Sequence, residues 1–135
     1  MSTTTTAEKP ATTPFERLGG HATLQQITNR FYDLMDSDPA YAELRAMHAP
    51  DLTPMRTSLA SFLAGWSGGP RDWFEANPGR CMMSLHKDFA IDRGTARQWT
   101  DAMTRAIDET VAASDAEIAK ALAGVLERMA MGMAR

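Results

Sequence analysis

Apolar residues recur at spacings of three and four along most of this chain, and no segment alternates with the period of two that a half-buried strand requires. Leu24, Ile27, Phe31, Leu34 and Met35 mark one face of a helix over residues 22–36, and Met55, Leu59, Phe62, Leu63 and Trp66 mark a second. Ala96, Trp99, Met103, Ile107 and Val111 stack at near-four-residue steps in a third, and Ile118, Leu122, Val125, Met129 and Met133 in a fourth. Segments that each carry one such stripe must bury it helix against helix, which predicts an all-α fold.

The punctuation agrees. Asp38-Pro39 reads as an N-cap followed by proline in the first turn, opening a short helix to about Met47, and Thr53-Pro54 repeats that start. Gly68-Gly69-Pro70 ends the second stripe, because it supplies positive φ and then forbids continuation. Residues 70–80 read as an irregular loop, with His86 on a short helix beyond it. Asp92 caps the third long helix, and Ser114-Asp115-Ala116-Glu117 reads as a capping box for the fourth.

With 135 residues, 44% of them hydrophobic, one domain with a real core is expected. Residues 1–13 contain no apolar segment and read as a disordered tail, leaving 14–135 for the domain. A net charge of −3 argues against a nucleic-acid partner or an anionic membrane, and no apolar stretch approaches the ~20 residues of a bilayer span. A single cysteine, Cys81, cannot form an internal disulfide, which suits a cytoplasmic setting. Ten methionines read as adaptable core filler.

The chemistry narrows to a few side chains. His86 lies in the largely apolar run Cys81-Met82-Met83-Ser84-Leu85-His86-Lys87-Asp88-Phe89-Ala90-Ile91. A neutral imidazole on an apolar wall suits the axial position of a haem iron, and a satisfied core or surface histidine has the same sequence appearance. Tyr32 sits about 100° further round its helix than Phe31, so its hydroxyl points either into a cavity at the core edge or into water. Trp99 lies in an apolar stripe, and its Nε1–H needs an acceptor, either a backbone carbonyl or a ligand. His48 ends the short helix just before Ala49-Pro50 and taken alone is an exposed turn residue, while His21 reads as structural or exposed. No CxxC, HExxH, phosphate-binding glycine loop or GxSxG is present. Asp33, Asp36 and Asp38 form an acidic cluster that surface exposure explains.

In order and spacing these pieces resemble a truncated haemoglobin of the second group, over roughly residues 14–128. Pro14-Phe15-Glu16-Arg17-Leu18-Gly19-Gly20 is similar to the family's first helix and its double-glycine turn. Arg30-Phe31-Tyr32-Asp33-Leu34-Met35 resembles the helix that delivers the distal tyrosine, and Leu44-Arg45-Ala46-Met47-His48 the segment ending in a ring beside the bound ligand. Phe62-Leu63-Ala64-Gly65-Trp66-Ser67-Gly68-Gly69-Pro70 resembles the end of the distal helix. His86-Lys87-Asp88-Phe89-Ala90-Ile91 resembles the proximal histidine motif, and Gln98-Trp99-Thr100-Asp101-Ala102-Met103 the helix with the signature tryptophan. The run Gly79-Arg80-Cys81-Met82-Met83-Ser84-Leu85 departs from the His-Pro-Arg-Leu and following arginine that the family commonly carries there.

The resemblance implies a truncated globin fold, a two-over-two helical sandwich around one haem b. His86 would be the proximal iron ligand. Met55 would occupy the position of the vertebrate distal histidine, leaving Tyr32, Trp99 and His48 as hydrogen-bond donors to a bound ligand. Met55, Leu59, Phe62, Trp66, Phe89 and Met103 would wall the porphyrin, with Arg80, Lys87 and Arg56 as candidate propionate anchors. The implied partners are O2, NO, CO or other small ligands and an external electron donor. The implied role is redox or detoxification chemistry on nitric oxide, peroxide or nitrite rather than bulk oxygen transport. A non-turnover sensor or store, a haem-free helical interaction protein, and a form in which His48 itself ligates the iron are the alternatives.

Overall fold

The computed structural model describes residues 13–79, 91–111 and 115–134. Seven α-helices run through them: α1 (Pro14–Leu18), α2 (Gly20–Ser37), α3 (Ala42–Ala46), α4 (Thr53–Trp66), α5 (Asp72–Ala76), α6 (Arg93–Thr110) and α7 (Ala116–Gly132). A 3-10 turn, Pro39–Tyr41, leads into α3. Among the described residues there is no strand, as the helical periodicity predicts.

Helix α2 packs on both α4 and α6, and α6 packs in turn on α7. Two helix pairs therefore share one core, a two-over-two sandwich. Leu24, Ile27 and Phe31 of α2 and Ala106 and Ile107 of α6 are wholly buried, with Leu63 of α4 and Leu122 and Leu126 of α7 nearly so. Each large side chain buried this way contributes roughly 1.5–3 kcal/mol. Thr28 is the buried polar residue on α2, and its hydroxyl donates to the Arg56 carbonyl at 2.9 Å, so the α2–α4 contact costs no unsatisfied polar atom.

The turns are local chemistry. Thr13 and Glu16 form a reciprocal capping box on α1. Gly19, at φ 104°, closes α1 and opens α2 in the left-handed region that a side chain would strain. At Gly69 a Cβ would lie 2.5 Å from the Phe15 ring, so the double glycine after α4 lets α1 lie against the end of that helix. The Phe15 N–H donating to Ser67 O at 2.9 Å fixes the same contact.

Four sequence expectations are corrected. Residues 72–76 are helical rather than irregular, because Trp73 and Phe74 dock against Phe62 and hold a short turn that propensity alone would not. Thr53 lies inside α4 instead of capping it; Asp51 Oδ1 receives the Thr53 N–H at 3.0 Å. The cap of α7 is Asp115, which accepts from Ile118 N at 3.1 Å, while Glu117 reaches Arg17 of α1 instead of its own helix start. On α7 the buried face is Ile118, Ala119, Leu122 and Leu126, with Val125, Met129 and Met133 half-buried.

The acidic cluster is also not simply solvated. Asp33, Asp36 and Asp38 pair with Arg56, Arg45 and Arg105, respectively, each at 2.8–2.9 Å.

Candidate functional site

Between the two helix pairs lies a cavity of about 460 Å³, within the usual range of cofactor and ligand pockets. Every layer of the fold contributes. Tyr32 comes from α2; Met47 and His48 follow α3; Met55, Leu59 and Phe62 come from α4; Trp73 comes from α5; Thr95 and Trp99 come from α6; and Leu126, Met129 and Met133 come from α7. Ser58 and Asn77 add polar atoms to a largely apolar wall.

One side of the cavity is a run of rings meeting edge to face. Trp99 lies 5.3 Å from Phe31, Phe31 lies 4.8 Å from Tyr32, and Tyr32 lies 6.1 Å from His48, with interplanar angles of 64–74°. Phe31 is wholly buried and forms the backing against which Tyr32 and Trp99 are held, a favourable geometry for aromatic pairs. Tyr32 is 3% exposed and Trp99 half-buried, and neither the Tyr32 hydroxyl nor the Trp99 indole N–H donates to another described residue. Burial pushes the Tyr32 phenol well above its ordinary value, opposed by the nearby charge of Arg56. The phenol therefore keeps its proton at physiological pH and is available as a donor.

His48 follows α3 on the cavity wall. Its Nδ1 lies 2.9 Å from the Leu44 carbonyl oxygen. A carbonyl only accepts, so Nδ1 carries a hydrogen in this contact. The segment beyond it is clamped by Arg45, which donates to the carbonyls of Ala49 and Pro50 at 3.0 and 2.9 Å while paired with Asp36.

This architecture matches known proteins along its length. The model of the bacterial-like globin family matches residues 13–135. The chain belongs to the bacterial-like globin family. The cold-adapted truncated haemoglobin of the Antarctic marine bacterium Pseudoalteromonas haloplanktis TAC125 is 31% identical, with a TM-score of 0.87 over 92% of this chain and 98% of that one. The group II 2-on-2 haemoglobin of Agrobacterium tumefaciens is also 31% identical, with a TM-score of 0.87 over 93% of this chain and 95% of its own. The truncated oxygen-avid haemoglobin of Bacillus subtilis is 28% identical, with a TM-score of 0.81 over 92% and 100%. No curated protein sequence matches the chain. The likeness to group II truncated haemoglobins read from the sequence is thus shared by the fold, and globin membership implies haem-based ligand binding.

The globin's described residues fit such a group: a cavity of this size, walled by thioether, aliphatic and aromatic side chains, with two unclaimed donors on one side. Tyr32, His48, Met55, Leu59, Phe62 and Trp99 of the expected set all line it. Trp66 and Met103 do not. Trp66 ends α4 with 38% of its surface exposed, and Met103 is sealed in the core behind the cavity at 1%. His86, Arg80, Lys87 and Phe89 lie outside the described residues. Arg56 is already held by Asp33 and by the Asn29 carbonyl, so its charge is committed to the α2–α4 contact.

Sequence reading missed Trp73, whose indole is 7% exposed and packs 5.2 Å from Phe62. The signal was present as adjacent aromatics, Trp73-Phe74, within a stretch otherwise rich in turn formers. Met47 and Leu126 were also missed, the latter because the α7 stripe was drawn one residue off the buried line.

Proposed function

We propose that this globin binds dioxygen and other diatomic ligands at a haem b iron, and uses them for redox or detoxification chemistry rather than bulk oxygen transport. The observation that carries the reading is that Tyr32 and Trp99, each able to donate a hydrogen bond, line a large apolar cavity with no acceptor for either among the described residues. When bound, haem supplies an iron that takes a diatomic ligand and exchanges electrons with it. His86 is the proposed proximal nitrogen, the role its motif shares with the family.

The rest is done by the chain. Tyr32, kept protonated by burial, and Trp99 would donate to partial negative charge on a diatomic ligand held in the cavity. Two neutral donors at about 1 kcal/mol each slow escape by roughly thirtyfold, which favours reaction over release. Leu59, Phe62 and Trp73 exclude water, strengthening both hydrogen bonds through the low local dielectric.

Nitric oxide dioxygenation, peroxide turnover and nitrite reduction all suit this arrangement, and each needs electrons from outside the chain. The deciding experiment supplies purified haem-loaded protein with dioxygen, nitric oxide and an artificial reductant, and follows nitric oxide. Consumption over many equivalents with nitrate as product is the expected result. Consumption of a single equivalent, with no turnover on peroxide or nitrite either, would make it a sensor or a store.

A further inference from the structure

We propose that Met55 is a peroxide-oxidation site at the mouth of the cavity, and that its sulfoxide loosens the hold of the cavity on an apolar occupant. The consequence rests on the haem reading above, whereas the modification itself needs no haem. The methionines, core filler by sequence, divide in two in the fold. Met35 and Met103 are sealed in the core at 1% exposure, while Met47, Met55, Met129 and Met133 bring thioethers from three parts of the chain to the cavity wall. Of these four, Met55 is exposed, at 39%, and the other three are half-buried.

Its place on α4 explains the exposure. Met55, Leu59 and Phe62 succeed one another on the cavity-lining face of that helix, and exposure falls along them from 39% through half-buried Leu59 to 6% at Phe62. α4 therefore runs from the mouth of the cavity inward, and Met55 stands at the solvent end, where exposed Ala49 and Ser58 also line the wall. A thioether in this position is open to dissolved peroxide. The sulfur lone pair attacks one oxygen of hydrogen peroxide, and an S–O bond forms as the O–O bond breaks. The departing hydroxide takes the proton of the transferred oxygen and leaves as water. Sulfur loses two electrons and peroxide gains them, so the step needs neither a metal nor an outside reductant. The product is a polar sulfoxide, and its hydrated oxygen is disfavoured against the apolar wall that Leu59 and Phe62 continue.

The test treats haem-free protein with dilute hydrogen peroxide and follows each methionine by peptide mass spectrometry. Peroxide is then removed, haem is loaded, and haem transfer to apomyoglobin is timed. Met55 should be oxidised about tenfold faster than Met35 and Met103, or more, since susceptibility follows exposure. The oxidised protein should release haem about fivefold faster, and methionine sulfoxide reductases acting on both epimers should restore the parent rate. Met55→Leu keeps Cys81, so a release rate that peroxide leaves unmoved in this variant assigns the effect to Met55 rather than to the thiol. Oxidation of Met55 no faster than that of the core methionines, haem release unchanged by it, or an equal response in Met55→Leu overturns the proposal. If Met55→Leu does not fold, reversal by the reductases decides, because they act on the sulfoxide and not on oxidised cysteine. A chain that takes up no haem would sink the functional reading alone, since the order of oxidation is read without haem.

Discussion

At the scale of single residues, Tyr32 is where burial and chemistry meet. It is enclosed on Phe31 and lines the cavity, and enclosure disfavours the phenolate. A phenol whose folded pKa lies above its unfolded value contributes stability that is complete below the unfolded pKa of about 10 and is lost as pH rises past it. Tyr41 shifts the same way, through burial first and then the Asp101 carboxylate. The melting temperature should therefore fall from about pH 10 upward, and Tyr32→Phe should flatten that fall; an identical pH slope in the variant would contradict the buried-phenol account. The same variant should release dioxygen roughly fivefold faster, as expected for losing about 1 kcal/mol of hydrogen bonding. For Tyr32 one helical step past a buried phenylalanine left cavity and water both open in the sequence, and the fold places it at 3% exposure on the cavity wall. The contact of His48 Nδ1 was not legible in the sequence, because it is made with a carbonyl four residues back that only the folded turn brings within 2.9 Å. Trp66 misled because it continues the α4 stripe to the helix end, where it is left 38% exposed.

Among the elements, the long helices declare themselves and the short ones do not. α2, α4, α6 and α7 each carry enough turns for a 3.6-residue period to stand out, and the Asp92 cap of α6 was readable from its residue type. α3 and α5 have five residues each and exist through tertiary contacts: Gln98 and Tyr41 for the first, Trp73 and Phe74 for the second. No local pattern encodes that. Trp73→Ala should cost about 3–5 kcal/mol, the usual range for deleting a buried tryptophan, and should open the cavity wall at Phe62. Chemical denaturation would measure the loss, and haem retention in the same samples should fall with it. A change below about 1 kcal/mol would mean that α5 is an ornament on the α4 end rather than part of the pocket.

For the whole molecule, two helix pairs sharing a core leave one large apolar cavity, and globin membership says what such a cavity is for. Fold class was legible because every long segment carried the same period, whereas the ligand was legible only through the order of short motifs along the chain. Charge adds stitching between elements, as in Arg17 of α1 meeting Asp115 and Glu117 at the start of α7. Among the described residues, no helix is long and apolar enough to cross a membrane. Haem binding is tested most directly by the visible absorption spectrum of purified protein, as isolated and after dithionite and carbon monoxide, alongside His86→Ala. An intense Soret band that shifts sharply with carbon monoxide in the parent and is lost in the variant is the predicted result. A colourless parent that refuses added haemin, or a variant with unchanged haem content and spectrum, would contradict it.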